Sequence, residues 1–321
     1  MEIKSVKLKI PWPFFEVNVF ILKEGDRFAL IDTGFPTEEN FYELEKAIFD
    51  ICGGWQKLEF IILTHGHPDH YGNAREILNK VKVPIFVHEK DKDRVIELPK
   101  EIRREAAEFA VEFLIKNGVP QDKLSIVERQ SKSYFTRKYQ VEEQDIIPIQ
   151  DEIYFGGTKI RVFHTPGHTP GHIILYIEKE GTIFSGDHIF SRGFPVPLLF
   201  FPKKEDRFRN LPNWLRSLKI LEELDISCVF PGHLEPFSNV KEVVSKMRKR
   251  VEKQKEKVLK IISESPKTLY EIGNLLYPDL PDEFWTFKFS EAQGYIDVLQ
   301  DEGLVSEKIE NGQIKLLSRL C

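Results

Sequence analysis

The chain has 321 residues, of which 41% are hydrophobic and 30% are charged, proportions typical of a globular protein with one large domain and a smaller one. Its net charge of −5 disfavours a general attraction to nucleic acid or to an anionic membrane. No run of about 18 residues is apolar and free of charge, and Met1–Lys4 lacks the cationic start of a leader, so we expect a cytoplasmic protein without a membrane span. The three cysteines form no C-x-x-C pair, which favours free thiols in a reducing compartment.

The first part of the chain predicts strands that alternate with helices, a pattern typical of helices packed on the faces of a sheet. Apolar residues at strand or helix spacing, closed by glycines and polar turns, define these elements. In chain order we predict two strands over 17–31 with a turn at 24–26, a helix over 38–50, a strand over 60–63, a helix over 74–80 and a strand over 83–88.

The region from 91 to about 144 has a different character. A helix is predicted over 101–116, and it ends at Asn117-Gly118. A polar and aromatic segment follows at 134–139. An insertion of this length between core strands is often a lid or a wall of a binding site.

Strand signals return in the second part and again alternate with glycine turns. The predicted strands are 152–155, 159–163, 173–177, 182–184 and 226–230, with a helix over 212–224 before the last of them. This repeats the pattern of the first part, so we predict an α/β fold in which two sheets face each other and helices cover both outer faces.

The C-terminal residues predict a small separate domain. A long polar helix over 239–263 leads to a boundary near Pro266, and helices over 268–276 and 290–301 follow. Two strands over 304–309 and 314–317 form a hairpin that turns at Asn311-Gly312. The order helix–helix–hairpin is typical of a winged helix.

The segment Thr64–His70 indicates a metal site. It directly follows the apolar run Phe60–Leu63 and contains three histidines and one aspartate. Imidazole nitrogens and carboxylate oxygens are common ligands of Zn²⁺ and related divalent ions.

Three further loops carry histidines next to glycine, proline or aspartate. They are Pro166–His172, Gly186–His188 and Pro231–His233, and each follows an apolar strand. One such loop is consistent with an ordinary polar turn, but four together indicate loops that converge on one edge of the sheets. We expect His164 and His172 to support their loop rather than to bind metal.

With these residues the sequence resembles the metallo-β-lactamase-fold hydrolases, which include glyoxalase II. The matching residues are Asp32, His65, His67, Asp69, His70, His168, Asp187 and His233. The resemblance implies a four-layer αββα sandwich over 1–240, with the helical insertion at about 91–144. A linker helix at 241–265 and a winged-helix-like α+β domain at 266–321 resemble the subgroup that contains β-lactamase-like protein 2.

The resemblance also implies a role for each of these residues. His65, His67 and His168 are expected to hold a first metal ion, Asp69, His70 and His233 a second, and Asp187 to bridge the two. Asp69 is the expected catalytic residue, because it could orient the metal-bridging hydroxide that attacks the substrate. Asp32 is expected to orient a ligating imidazole from behind. The nitrogen and oxygen ligands suit Zn²⁺ best, with Fe or Mn²⁺ as alternatives.

The loops near the predicted ligands indicate the class of substrate. Phe190 and Phe194 follow Asp187, and Phe14 lies in an apolar N-terminal turn, so these residues could line a pocket for an apolar group. An interface between subunits would explain them equally well. No cysteine lies in a motif, in contrast to those β-lactamases of the superfamily whose second site uses a Cys. We therefore predict a metal-dependent hydrolase that cleaves a small ester, thioester or lactone.

Two alternatives remain open. The winged-helix tail resembles a branch that includes an endoribonuclease, and a two-metal site also suits cleavage of single-stranded RNA. However, residues 266–321 hold five Lys or Arg against ten Asp or Glu, so we favour a packing or homodimerisation role for the tail. The other alternative is a binding module without catalysis, which would not need seven ligand positions.

Overall fold

The computed structural model describes residues 1–11, 16–124, 139–195, 199–201 and 207–319. The strands are β1 (Glu2–Lys9), β2 (Glu16–Glu24), β3 (Arg27–Ile31), β4 (Leu58–Ile62), β5 (Ile85–Val87), β6 (Ile146–Pro148), β7 (Glu152–Phe155), β8 (Thr158–His164), β9 (Ile173–Ile177), β10 (Thr182–Gly186), β11 (Cys228–Pro231), β12 (Val305–Glu310) and β13 (Gln313–Ser318). The helices are α1 (Glu38–Cys52), α2 (Pro68–Tyr71), α3 (Ala74–Lys80), α4 (Glu89–Val95), α5 (Lys100–Lys116), α6 (Asn210–Glu223), α7 (Val240–Glu264), α8 (Leu269–Leu276) and α9 (Trp285–Asp301).

The first sheet has the strand order β1-β2-β3-β4-β5-β6. Its first three strands pair antiparallel and the others pair parallel. Strand β1 was not predicted, because most of its side chains are polar and only Leu8 is buried. A charged strand of this kind suits the edge of a sheet, where it discourages pairing with other chains.

The second sheet has the order β11-β10-β9-β8-β7, with β11 parallel to β10 and the others antiparallel. A shared hydrophobic core joins the two sheets. Phe20 of β2 lies 5.1 Å from Phe184 of β10 between ring centroids, and Phe60 of β4 lies 5.7 Å from Phe155 of β7. The predicted α/β fold with two facing sheets is therefore confirmed.

The contacts of the chain divide it into two compact units. Among the described residues, the first contains 1–11, 16–97, 139–195 and 217–243, and the second contains 98–124, 199–201, 207–216 and 244–319. Both large sheets lie in the first unit, and the hairpin β12–β13 lies in the second. The boundaries predicted at 240 and 265, and the winged-helix likeness of the tail, stay predictions.

Buried ion pairs stabilise the second unit internally. Arg207 donates two hydrogen bonds to the buried Asp297, at 2.9 and 2.6 Å. Arg250 pairs with the buried Glu291 at 3.2 Å. Helix α8 begins with a capping box, in which Thr268 and Glu271 satisfy each other's backbone N–H groups.

Most predicted elements end within two residues of the observed ones, and the main exceptions have physical causes. Helix α9 begins at Trp285, five residues before the predicted start at 290. The prediction missed these residues because the aromatic side chains at 285, 287 and 289 alternate with the period of a strand. Helix α4 was not predicted, since its seven residues are mostly charged and show no apolar periodicity.

In the part of the chain that the structure describes, no helix is long and apolar enough to cross a membrane.

We expect Phe184→Ala to lower the free energy of unfolding of the first unit by about 3–5 kcal/mol, because it leaves a cavity between the two sheets. Urea denaturation of the full chain measures this change. The matched control is Phe49→Ala on α1, where the side chain is 54% exposed and the change should stay within about 0.5 kcal/mol. Equal losses in the two variants would contradict a core shared by the sheets.

Candidate metal centre

The four histidine-bearing loops converge within the first unit. His65, His67 and the helix α2 follow β4, His168 lies between β8 and β9, Asp187 follows β10, and His233 follows β11. Their side chains form three groups whose possible ligand atoms lie within 4.8 Å of one another. The groups are His65 with His67 and His168, His65 with His70 and Asp187, and Asp69 with His70 and His233.

The first group consists of three imidazoles. His65 Nε2 lies 3.0 Å from His67 Nδ1, and His67 Nδ1 lies 2.9 Å from His168 Nε2. Burial lowers the pKa of His65 and of His67 well below its ordinary value, and neighbouring imidazoles lower it further. Burial also lowers the pKa of His168 to about 4. The rings are therefore neutral and can offer lone pairs to a cation.

The second donor group, Asp69 with His70 and His233, combines imidazoles with a carboxylate and lies next to Asp187. His70 Nε2 lies 3.3 Å from Asp187 Oδ1, and His233 Nε2 lies 3.4 Å from Asp69 Oδ2. Burial opposes protonation of His70 and His233, but nearby carboxylates, above all Asp187, outweigh it and raise the pKa of both rings. The same negative potential favours a metal cation in place of these protons.

Asp187 lies between the two groups. Its Oδ2 is 3.4 Å from His168 Nε2 of the first group and 3.3 Å from His233 Nε2 of the second. No other carboxylate in the described residues is paired at these distances with both of those histidines. This is the position that a bridging ligand of two metal ions would need.

The buried polar atoms fit divalent metal ions. Within the described part of the chain, His70 Nε2 and Asp187 Oδ1 are buried without a hydrogen-bond partner. Glycine is needed beside them, because a Cβ at Gly232 would lie 2.4 Å from Asp187 Oδ1 and 2.8 Å from His70 Cε1. Buried polar atoms without partners are costly, so their convergence here indicates a site for cations.

Asp32 orients two of the imidazoles from behind. His70 Nδ1–H donates to Asp32 Oδ2 at 2.8 Å, which fixes the ring with its other nitrogen, Nε2, facing Asp187. Thr64 donates to the same carboxylate through its backbone N–H and its hydroxyl, each at 2.8 Å. The Thr64 oxygen can then accept from His65 Nδ1, 3.1 Å away, which leaves His65 Nε2 free to bind a cation.

Two further histidines support backbone positions in the loops around the site. His172 Nε2 accepts the backbone N–H of Asp187 at 3.0 Å, and its Nδ1 lies 2.9 Å from the hydroxyl of Thr165. His164 Nε2 donates to the carbonyl of Pro170 at 2.8 Å. Both residues therefore hold their loop, in line with the role expected for them.

Asn18 is a supporting residue that sequence reasoning missed. Its side-chain amide donates to the carbonyls of Pro231 and Leu234, at 2.9 and 2.8 Å, on either side of His233. His233 Nδ1 donates to the carbonyl of Glu16 at 2.7 Å. The sequence does contain a signal for this role, because an asparagine inside the apolar strand β2 needs buried hydrogen-bond partners.

Two of the aromatic residues predicted to contact substrate are buried, and one of them packs against the site. Phe190 is only 2% exposed, and its ring packs edge-on against His233 at 5.7 Å between centroids. Phe194 is also buried. Phe14 lies outside the described residues. Phe190 therefore supports the ring of His233 in this conformation.

Sequence comparison gives a family match over most of the chain. The model of the metallo-β-lactamase superfamily matches residues 12–233. The probable metallo-hydrolase YqjP of Bacillus subtilis is 27% identical over 312 residues, covering 96% of each chain. A β-lactamase-like protein 2 homologue of Caenorhabditis elegans is 24% identical over 276 residues, covering 84% of this chain and 74% of that protein.

A hydrolase and a solved structure extend these similarities. The hydroxyacylglutathione hydrolase GloC of Haemophilus influenzae is 26% identical over 226 residues, covering 70% of this chain and 88% of that protein. The metallo-β-lactamase family protein TTHA1429 of Thermus thermophilus superposes with a TM-score of 0.79 and is 25% identical, covering 99% of this chain and 98% of that one. With its two facing sheets and its buried His/Asp cluster, this chain belongs to the metallo-β-lactamase superfamily of metal-dependent hydrolases.

Proposed function

We propose that this protein is a two-metal hydrolase that cleaves a small ester, thioester or lactone with an apolar group. The observation that carries the proposal is the position of Asp187, within 3.4 Å of a histidine in each of the two donor groups. His65, His67 and His168 would hold one ion, and Asp69, His70 and His233 the other. When bound, two divalent ions would lower the pKa of water and polarise the scissile carbonyl.

Asp69 has the properties of a residue that orients the attacking water. Its side chain is 14% exposed, more than those of His70, His233 and Asp187, so it borders the open side of the site. Burial would raise its pKa, but the imidazoles of His70 and His233 outweigh that effect and lower it. Asp69 is therefore an ionised acceptor at neutral pH, suited to hold or accept a proton of water.

The residues after Asp187 support a substrate with an apolar group. Ile189, Phe190 and Phe194 are apolar and buried, and the ring of Phe190 packs against the donor His233. A hydrophobic acyl group gains more from such surroundings than a polyanion does. The relative named hydroxyacylglutathione hydrolase supports a thioester in particular.

The first test removes one donor from each group. We expect the wild-type protein to bind two divalent ions per chain, and His168→Ala and His233→Ala each to weaken one of them by at least about a hundredfold. Both variants should lose ester cleavage, because the proposed chemistry needs both ions. Chelator competition and elemental analysis measure the affinities and stoichiometry.

The matched control for these variants is Tyr154→Phe on β7, where the side chain is 61% exposed and distant in sequence from every donor. It should bind metal and cleave substrate like the wild type. Tight binding of both ions by His168→Ala would contradict the assigned donor group.

The second test is a substrate panel for the protein loaded with Zn²⁺, Mn²⁺ or Fe²⁺. It compares acyl thioesters, aryl esters, lactones, a β-lactam, a phosphodiester and single-stranded RNA. We expect thioesters or esters to react best, with kcat/KM rising about three- to fourfold for each added methylene that becomes buried. Cleavage of RNA without cleavage of any ester would overturn the proposed substrate class and favour the nuclease alternative.

A further inference from the structure

A third buried carboxylate, Asp91, lies between two of the histidine loops. It belongs to the first turn of α4 and is 0% exposed. Its Oδ2 accepts the backbone N–H of Gly66 at 2.8 Å and the hydroxyl of Thr169 at 2.5 Å. Its Oδ1 accepts the backbone N–H of Gly171 at 2.6 Å. Three donors from two separate loops therefore meet on one carboxylate.

The positions of the donors relate Asp91 to the first donor group. Gly66 lies between His65 and His67, and Thr169 directly follows His168. The Asp91 carboxylate thus binds the backbone between His65 and His67 and the side chain next to His168. Since the facing ring nitrogens are only 2.9 to 3.0 Å apart, a small shift of either loop would separate them.

Two glycines allow α4 to approach the loops this closely. A Cβ at Gly66 would lie 2.6 Å from Arg94 Cβ, and a Cβ at Gly171 would lie 2.5 Å from the backbone nitrogen of Asp91. Arg94 also donates from Nε to the carbonyl of Gly66 at 3.2 Å. Both the N–H and the carbonyl of Gly66 are therefore hydrogen-bonded to side chains of α4.

Helix α4 is itself held in place at its start. His88 Nδ1 accepts the backbone N–H of Lys90 at 3.2 Å and caps the helix. The His88 ring stacks on His164 at 3.9 Å between centroids, with an angle of 12° between the planes. His164 also bonds to Pro170 in the loop of His168. The start of α4 therefore contacts that loop in two ways, through the His88–His164 stack and through the hydrogen bonds of Asp91.

We propose that Asp91 is a positioning residue for the first metal ion, because it holds the His65–His67 turn and the His168 loop in one fixed arrangement. The inference rests on the proposed two-metal site and adds a residue that touches none of the donor atoms. Asp32 bonds directly to the ring of His70, whereas Asp91 bonds only to residues next to the imidazoles of the first group. Outer partners of this kind typically change metal affinity 10- to 100-fold.

The test replaces Asp91 by asparagine. The amide has one acceptor oxygen and an NH₂ group, so in either orientation NH₂ faces a backbone N–H, of Gly66 or of Gly171, and leaves it without an acceptor. We expect Asp91→Asn to weaken the first metal ion about 10- to 100-fold and the second less than about threefold. Chelator competition gives both affinities, and imidazole ¹⁵N shifts on Zn²⁺ addition show which histidines bind.

Hydrogen exchange provides a readout that needs no metal. In metal-free protein the amide of Gly66 or that of Gly171, whichever then faces the NH₂ group, should exchange at least about tenfold faster in Asp91→Asn than in the wild type, because its hydrogen bond is lost. Asp93→Asn is the matched control, since Asp93 is exposed on the same helix. It should leave exchange and both metal affinities unchanged.

Thr169→Val keeps the test decisive if Asp91→Asn does not fold. It removes one of the three donors and keeps the branched shape, so we expect a smaller loss, about three- to tenfold, in affinity for the first ion. If the wild-type protein binds two ions and the variants bind the first ion as tightly as the wild type, the proposed role of Asp91 is wrong and the two-metal site still stands. Failure of the wild-type protein itself to bind metal would instead overturn the proposed function.

Discussion

The whole site depends on one electrostatic constraint, which is that buried carboxylates and imidazoles must be held close together without water. Asp187 lies 3.3 to 3.4 Å from His70, His168 and His233. Such an arrangement is costly unless each charge has a partner. The sheets supply the rigid frame, because the loops that carry these side chains follow strands fixed in a shared core.

Outer hydrogen bonds convert this frame into a defined geometry. Asp32 adopts a positive φ of 61°, a backbone conformation that non-glycine residues rarely use, and it thereby aims its carboxylate at both His70 and Thr64. Asp91 aims a second carboxylate at the other side of the His65–His67 turn. The imidazoles are therefore held by two side chains, Asp32 and Asp91, that lie outside both donor groups.

The sequence predicted the donors better than it predicted what holds them. His65, His67, Asp69 and His70 stand together after an apolar strand, and their residue types reveal their chemistry. Asp91 stands in a helix of charged residues, where a solvent-exposed aspartate looks the same as a buried one. Gly66 and Gly171 indicate in the sequence that another part of the chain could pack closely against these loops, because glycine has no side chain. Only the structure shows that this part is α4. For the same reason, the burial of Phe190 against His233 could not be read from its apolar surroundings in the sequence.

The two donor groups also differ in charge, and this difference gives each a distinct part in binding cations. The first group is all imidazole, and burial keeps the pKa of its rings low, so its lone pairs are available without displacing a proton. In the second group the neighbouring Asp187 and the group's own Asp69 raise the pKa of His70 and His233, so cations there must replace protons. Asp187 connects the groups, so its negative charge stabilises cations on both sides. A neutral isostere at 187 would remove the one charge that both groups share, which is why the centre depends more on this carboxylate than on any single imidazole.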